Sequence, residues 1–165
     1  MLNDVVLDQL DDAHSHILRF LLWPKLWQQF NVNVAAFAWQ EHEFNEAEMT
    51  NIPNMPGVYT FVIKPGVANH PSCSYLVYVG QTSKQTLSIR FKQYLDEQAG
   101  KGKPRINMFR ILNKYKNYLY FVCMPTDKKT LPKKIEDELL KAFCPPCNDP
   151  DTFPAEVRHI KGAFV

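Results

Sequence analysis

Two short apolar strands joined by a Pro/Gly/Asn/Ser loop constrain the fold of this chain more than any other feature. The stretch GVYTFVIKPGVANHPSCSYLVYVG predicts one strand over Gly57–Ile63 and a second over Tyr75–Gly80. β-Branched and aromatic runs bounded by turn residues are typical of strands. A hairpin explains the glycines at the motif ends, but it does not require the tyrosine beside each of them, Tyr59 and Tyr78. These two tyrosines are therefore candidates for chemistry.

The elements after the hairpin predict how the fold continues. Apolar residues at helical spacing predict helices over Lys84–Gln98 and Arg105–Tyr115. The aromatic run Tyr118–Cys123 predicts a third strand. A last helix is expected over residues 130–143, with Pro145 and Pro146 after its end. This order predicts the α+β class: a small, mainly antiparallel three-stranded sheet flanked by helices in a sandwich-like arrangement.

The N-terminal third has a different character. Residues Val5–Trp23 carry apolar side chains at helical spacing and predict an amphipathic helix, which Pro24 either kinks or separates from a second short helix. A strand or extended segment is expected over residues 31–39. We place a boundary near residue 50, between an acidic, mainly helical extension (residues 1–50) and a second domain (residues 51–165).

Charge is distributed unevenly along the chain. Residues 1–56 hold eight acidic side chains against Arg19 and Lys25, a net charge of −6, whereas residues 81–141 hold fourteen Lys/Arg against six acids, a net charge of +8. A basic segment favours a polyanionic partner. Lysine-rich solvated helix faces explain the same pattern equally well, so charge alone leaves both interpretations open.

Composition favours a soluble protein of the cytoplasm with no membrane partner. The longest apolar run ends at Pro24 and is far shorter than a membrane span, and aspartates stand where a secretory signal would carry basic residues. Four cysteines in such a chain indicate reduced thiols. Cys144-Pro-Pro-Cys147 could be half of a zinc site or a redox pair, but it lacks two further ligands at matching spacing and follows a helix end, which favours a structural turn.

Five features, taken in chain order, resemble the GIY-YIG nuclease family. Gly57-Val58-Tyr59 and Tyr78-Val79-Gly80 resemble the two motif strands, and Leu87-Ser88-Ile89-Arg90 resembles the Leu-x-x-Arg pattern of the first helix. Glu136 on the last predicted helix and Asn148 in the following turn complete the set. The similarity covers about residues 52–150.

The resemblance implies a divalent-metal-dependent endonuclease and a role for each matched residue. Glu136 would be the sole protein ligand of one Mg²⁺ (or Mn²⁺) per active site, and Arg90 would hold the scissile phosphate. Tyr59 would act on the attacking water as general base or orienting group, which as a base requires a lowered pKa. Tyr78 would assist within the same site, and Asn148 would tie its loop to the site.

The chain also departs from the family pattern. The loop Lys64–Ser74 is longer than usual, Gln81 stands where many members carry Lys, and Arg90 lies two residues further from the second motif than in repair-type members. Lys84 is a candidate to supply the missing charge. Each matched residue also has a structural interpretation, as a packed tyrosine or a solvated helix charge, and Glu138 is a rival for the metal.

The expected substrate is DNA, or RNA, in a restriction, defence, mobile-element or repair setting. The expected nucleic-acid-binding residues are the basic side chains Lys84, Lys92, Lys101, Lys103, Arg105, Arg110 and Lys114. The aromatic residues of the extension either pack on the domain or form a face for a homodimer or protein partner. The first alternative function is a binding module of the same fold that cuts slowly or not at all, and the second is a thiol-based enzyme that uses Cys144 and Cys147.

Overall fold

The structure, a computed structural model, describes residues 2–33, 37–70, 72–103, 105–127 and 131–163. Its helices are α1 (Leu2–Ser15), α2 (Pro24–Gln28), α3 (Leu87–Gln98), α4 (Ile106–Lys114), α5 (Leu131–Phe143) and α6 (Ala155–Ala163). Its strands are β1 (Gln40–Glu43), β2 (Gly57–Ile63), β3 (Tyr75–Thr82) and β4 (Leu119–Pro125). These elements confirm the α+β class.

The sheet has four strands, and the expectation of three was wrong. The strand order is β1-β4-β2-β3, and every neighbouring pair is antiparallel. The unexpected strand is the edge strand β1, whose sequence is Gln-Glu-His-Glu. Its side chains carry no apolar alternation, and it pairs with a strand almost eighty positions later, so its pairing depends on tertiary contacts rather than on local pattern.

The two faces of the sheet carry different helices. Side chains alternate along β2 and β3, so Tyr59 and Tyr78 face one side while Val58 and Val79 face the other. The tyrosines belong to a core cluster with residues of α3 and α4, and the valines belong to a second cluster with residues of α5. We call these the tyrosine face and the valine face. The sheet therefore separates α3 from α5.

Helix α3 begins three residues later than the sequence predicts. The Thr86 side chain accepts a hydrogen bond from the Ile89 backbone N–H at 3.3 Å, which caps the first turn. Before it, the Thr82 hydroxyl donates to the Gln85 carbonyl at 2.9 Å and closes the turn that links β3 to α3. Residue 130, the expected first residue of the last helix, lies outside the described residues, and α5 begins at Leu131.

The N-terminal extension wraps around one end of the sheet. Helix α1 ends at Ser15, so the expected continuous helix to Trp23 was wrong. Leu18 packs against the core cluster of the tyrosine face and Leu21 against that of the valine face. Residues three apart on a helix share a face, and this division requires non-helical backbone. Leu26 of α2 is buried with α5 in the second cluster.

The extension and the domain share one sheet. β1 and Phe44 lie before the boundary expected near residue 50, yet β1 pairs with β4 and Phe44 is buried against Phe61 and Phe91. The described flanks of the expected strand over residues 31–39 carry no strand, and residues 34–36 lie outside the described residues. Three tryptophans of the extension remain partly exposed: Trp23 at 36%, Trp27 at 42% and Trp39 at 38%.

None of the helices in the described ranges combines the length and apolar content that a membrane crossing would need.

Candidate functional site

The hairpin brings the two motif tyrosines together on the tyrosine face. The ring centroids of Tyr59 and Tyr78 lie 6.4 Å apart, with the rings 28° from parallel. Tyr59 also stacks on Phe121 of β4, at 5.1 Å between centroids. Tyr59 is 1% exposed and Tyr78 is 9% exposed. Aromatic packing thus holds both rings rigidly, and only their hydroxyl groups remain for polar contacts.

The glycine of the second motif makes room for the tyrosine of the first. Tyr59 and Gly80 are direct partners in the β2–β3 pair. A Cβ atom at position 80 would lie 2.6 Å from both Cζ and Oη of Tyr59, closer than non-bonded atoms approach. The missing side chain of Gly80 therefore lets the Tyr59 ring lie across the strand, so a glycine is required here for space and not for a special backbone angle.

Arg90 joins this arrangement from the first turn of α3. Its Nε donates a hydrogen bond to the Tyr59 hydroxyl at 3.0 Å, and its Nη2 donates to the hydroxyl of Tyr94, one turn further along α3, at 3.4 Å. The Tyr59 and Tyr94 hydroxyls are themselves 3.0 Å apart. The Arg90 Nη1 donates to Gln93 Oε1 at 2.7 Å. Three of its five N–H donors are bound in this way, and the others remain available.

Arg90 is a half-buried cation without an acidic partner. Its hydrogen-bond acceptors are two phenols and an amide, and no ion pair joins it to a carboxylate in the part of the chain that the structure describes. Withdrawing an unpaired charge from water is costly. A guanidinium held in this way is suited to an anion supplied from outside, and its planar fork matches phosphate oxygens.

The tyrosines of the site are neutral phenols at physiological pH. Burial raises the pKa of Tyr59 to about 12, although Arg90 and Tyr94 oppose the shift. Burial also raises the pKa values of Tyr78 and Tyr94. The direction is opposite to the lowered pKa that a Tyr59 general base requires. Its hydroxyl meets Arg90 and Tyr94 rather than solvent, which suits Tyr59 to positioning Arg90.

Glu136 lies on the other side of the sheet. It belongs to α5, which packs on the valine face, and its carboxylate accepts a hydrogen bond from the backbone N–H of Gln81 near the end of β3. Lys133 pairs with it at 3.1 Å. Burial raises the pKa of Glu136, while Lys133 and Gln81 oppose the rise. Among the described residues, no hydrogen bond or ion pair links Glu136 to the tyrosines or Arg90.

A divalent cation at Glu136 would find few protein ligands. The carboxylate is only 15% exposed, and the neighbouring Gln81 has a buried side-chain oxygen without a hydrogen-bond partner among the described residues. Within the same residues no group of three His, Cys, Asp or Glu side chains is placed to hold a metal. One carboxylate and one amide oxygen are hard ligands that fit Mg²⁺ or Mn²⁺ with a mostly aqueous shell. Lys133 would have to release Glu136 first.

Glu138, the rival carboxylate, points elsewhere. It accepts a hydrogen bond from the Asn31 backbone N–H at 3.0 Å and pairs with Lys141 at 3.0 Å, which holds the extension against α5. These contacts account for its charge without a metal.

Asn148 binds the loop after α5 to the outer edge of β3. Its side-chain oxygen accepts from the Val79 backbone N–H at 2.9 Å, and its side-chain nitrogen donates to the Val79 carbonyl at 2.7 Å. The amide is 3% exposed. The Cys147 backbone N–H donates to the Val77 carbonyl at 3.0 Å in the same loop. Asn148 therefore completes the hydrogen bonding of the strand that carries Tyr78, and its two side-chain bonds go to the Val79 backbone rather than to the tyrosines or Arg90.

The Cys-Pro-Pro-Cys segment is the turn of this loop. Cys144 is 3% exposed and Cys147 is 7% exposed. Thiols buried to this extent offer little surface to a substrate, and reactive cysteines are usually partly exposed. The geometry gives the thiol-based alternative no support.

The expected nucleic-acid-binding side chains occupy different surroundings. Those of Lys84, Lys92, Lys101, Lys103 and Arg110 are exposed. Lys101 pairs with Asp96 at 3.2 Å, and Lys114 donates to the Ser15 carbonyl at 2.8 Å, which ties it to the extension. Arg105 instead reaches the tyrosine face, where its Nη1 donates to the Tyr78 hydroxyl at 3.3 Å.

Sequence reasoning missed Tyr94 as a site residue and did not predict that Arg105 contacts the tyrosine face. Tyr94 follows Arg90 by four residues, so their side chains share one helix face, and this spacing could have been used to find it. Arg105 reaches the cluster through a loop between two helices, and nothing in its local sequence indicates that contact.

Compared with known proteins, the chain matches no family model, no curated protein and no solved structure.

Proposed function

We propose that this protein is a divalent-metal-dependent endonuclease that hydrolyses phosphodiester bonds in DNA, of the type that the GIY-YIG family represents. The observation that carries the proposal is the Arg90 guanidinium of α3, which has no acidic partner among the described residues. It is held by Tyr94 of the same helix and by Tyr59 of the hairpin, where Gly80 makes room for the Tyr59 ring. Buried cations are normally paired. An external phosphate would supply the missing anion.

In this proposal each residue of the chain has a distinct task. Arg90 binds the phosphoryl oxygens through its remaining N–H donors, and Tyr59 and Tyr94 fix the direction of its guanidinium. Asn148 keeps β3, and with it Tyr78, in place. Glu136 of α5, which accepts the Gln81 backbone N–H near the end of β3, would hold the cation. When bound, a divalent cation neutralises phosphoryl charge and lowers the pKa of a coordinated water.

The exposed lysines provide affinity without sequence preference. Lys84 lies two residues after the end of β3, and Lys92 lies on α3, the helix that carries Arg90. Contacts of this kind release counterions from the nucleic acid, so binding should weaken steeply as salt is added.

The separation of Glu136 from Arg90 favours a second candidate function. Glu136 is bound to Lys133 on the valine face, and Gln81 replaces the family's usual lysine. A chain that keeps Arg90 for phosphate binding, but whose Glu136 carboxylate is already paired with Lys133, is suited to holding nucleic acid without cutting it. The alternative is therefore a catalytically weak or inactive binding module of the same fold.

Cleavage assays on defined DNA forms separate the two functions. Supercoiled, linear, branched and single-stranded DNA, and RNA, would be incubated with the protein in Mg²⁺, in Mn²⁺ and in a chelator. An endonuclease nicks or linearises at least one substrate only when metal is present. We expect Glu136→Gln and Arg90→Ala each to reduce the cleavage rate at least a hundred-fold.

Glu138→Gln is the matched control. It removes a carboxylate that lies on the same helix as Glu136 but binds the extension. It should retain cleavage, and circular dichroism should show all three variants folded. Binding without cleavage of any substrate would establish the binding module. Cleavage that survives Glu136→Gln at the wild-type rate would refute the metal-site assignment.

A further inference from the structure

A second arginine reaches the site from the segment before α4. The Arg105 guanidinium carbon lies 5.9 Å from the ring centroid of Tyr78 and 5.3 Å from that of Tyr94. Its Nη1 donates to the Tyr78 hydroxyl at 3.3 Å. Arg105 thus holds Tyr78 much as Arg90 holds Tyr59, and the two arginines form a pair around a row of three phenols.

Glu97 holds Arg105 in place through two contacts. Its Oε1 accepts the Arg105 backbone N–H at 2.8 Å, and its Oε2 lies 3.3 Å from Arg105 Nη2. The Glu97 side chain is 14% exposed, whereas that of Arg105 is 40% exposed. The carboxylate is therefore enclosed and the guanidinium reaches the surface. Arg105 Nη1 is bound to Tyr78 and Nη2 to Glu97, but a guanidinium has five N–H donors, so Arg105 can still accept a further anion.

Both guanidinium groups lie over the Tyr94 ring. The Arg90 carbon is 4.8 Å from the Tyr94 ring centroid, close to the 5.3 Å of Arg105. Like charges this close repel one another, and Glu97 is their one carboxylate partner among the described residues. Because the three tyrosines are neutral, Glu97 supplies one negative charge against two guanidinium groups among the described residues, and the pair keeps a net positive charge.

We propose that Arg105 is a second phosphate-binding residue, and that the tyrosine face takes a nucleic-acid strand at two neighbouring phosphates, one at Arg90 and the next at Arg105. This inference rests on the proposed function and assigns the substrate contact that adjoins its active site. Separate arginines on separate phosphates relieve the repulsion between the two guanidinium groups better than one shared phosphate does. Glu97 is the residue that positions Arg105.

Short oligonucleotides that differ by one phosphate test this directly. The probes are a thymidine dinucleotide and a thymidine trinucleotide, both without terminal phosphates, so that they carry one and two phosphates. Binding would be measured by calorimetry or NMR titration in a Glu136→Gln background, which prevents cleavage. We expect the parent protein to bind the trinucleotide at least five-fold more tightly, and Arg105→Ala to lose that gain while still binding the dinucleotide.

Salt dependence gives a second, independent readout on a longer single strand. Each phosphate contact contributes about 0.7 to the slope of log K against log salt for single strands. Arg105→Ala should therefore lower the slope by about 0.7. Arg105→Lys should keep the slope and lose affinity, because it retains the charge without the planar fork. Lys25→Ala, which removes an exposed cation of α2, should change neither.

Glu97→Gln keeps the inference testable if Arg105→Ala fails to fold. Its amide oxygen can still accept the Arg105 backbone N–H, and removing the charge should tighten trinucleotide binding several-fold. Weaker binding by folded Glu97→Gln would count against the inference. A trinucleotide gain that persists in Arg105→Ala would overturn this inference and leave the proposed function intact. If no probe or longer strand binds the parent protein, both proposals fall.

Discussion

At the scale of single residues, the site depends on one absent side chain and one unpaired charge. Gly80 leaves the space that the Tyr59 ring occupies, and the Tyr59 hydroxyl then receives Arg90 Nε at 3.0 Å. A change at position 80 therefore acts on Arg90 through Tyr59, although Arg90 belongs to a different element. Gly80 therefore belongs to the site as much as Tyr59 and Arg90 do.

Replacement of Gly80 by alanine tests this dependence. The new Cβ overlaps the Tyr59 ring, and we expect a loss of about 2 kcal/mol in the free energy of unfolding, within the range for overpacked cores. Nucleic-acid binding should fall at least ten-fold because the ring and Arg90 must shift. Urea denaturation and oligonucleotide titration measure the two effects.

Val58→Ala is the control for this prediction. Val58 is the neighbour of Tyr59 on β2 but packs on the valine face, so its replacement destabilises the fold without touching the Tyr59 ring. Val58 is fully buried. The variant should lose a comparable 2 kcal/mol or so through its cavity and keep wild-type binding. Equal losses of binding in both variants would show that stability, rather than the Tyr59 position, controls the effect.

At the scale of elements, the sheet stands between the two helices that carry charged site residues. α3 brings Arg90 to the tyrosine face, and α5 brings Glu136 to the valine face. Both Arg90 and Glu136 lie near the end of β3. That strand is hydrogen-bonded on one side by β2, and the loop after α5 supplies further partners through Asn148 and Cys147. β3 is thus an edge strand that a loop protects.

Asn148→Ala removes this protection. Loss of its two hydrogen bonds leaves a buried N–H and a buried carbonyl of Val79 without partners. Unsatisfied buried groups cost about 1–3 kcal/mol each, and we expect the free energy of unfolding to fall by about 3 kcal/mol. Chemical denaturation measures it, with Asn113→Ala as control. Asn113 makes two comparable bonds on an exposed helix surface, and its loss should cost under about 1 kcal/mol.

Local sequence patterns reveal the hairpin and the helices but not the pairing between distant segments. β2 lies where the pattern predicts it, and β3 continues two residues beyond Gly80. The closeness of Tyr59, Tyr78 and Arg90 follows from motifs on adjacent elements. The separation of Glu136 and the position of Arg105 do not, because both depend on which face of the sheet a later helix or loop packs against. No periodicity in the chain records that choice.

At the scale of the whole molecule, the extension and the sheet form one folded unit. Leu26 is buried against α5, β1 completes the sheet, and the Ser15 carbonyl binds Lys114. The acidic extension thus touches the basic half of the chain directly. The core that results encloses three tyrosine hydroxyl groups, which couples the stability of the entire fold to alkaline pH.

We expect the free energy of unfolding to fall in alkali by more than the protein's content of acidic and basic residues suggests. An exposed tyrosine in the unfolded chain titrates near pH 10, and Tyr59 in the folded state near 12. Between these values the unfolded state binds fewer protons, so stability falls as pH rises. Tyr59 alone should remove about 2 kcal/mol by pH 12 and about 3 kcal/mol at still higher pH, and it contributes no pH dependence well below pH 10.

Thermal unfolding followed across this pH range measures the loss. Tyr78 and Tyr94 shift in the same direction and add to it. Tyr59→Phe provides the control, because it removes one titrating hydroxyl and should flatten the decline by about 2 kcal/mol at pH 12. A decline of unchanged steepness in Tyr59→Phe would contradict the assignment.

The contact between Tyr59 and Gly80 has one more consequence, for the alignment of the two strands. Side chains alternate along a strand, so a slip of one residue would exchange its two faces, and a slip of two would bring Tyr78 or Thr82 opposite Tyr59. Of these positions only Gly80 can lie beneath the ring without collision. The pair therefore selects one alignment of the hairpin during folding, before any ligand is present. The contact that positions Arg90 through Tyr59 thus also determines how the chain aligns its own sheet.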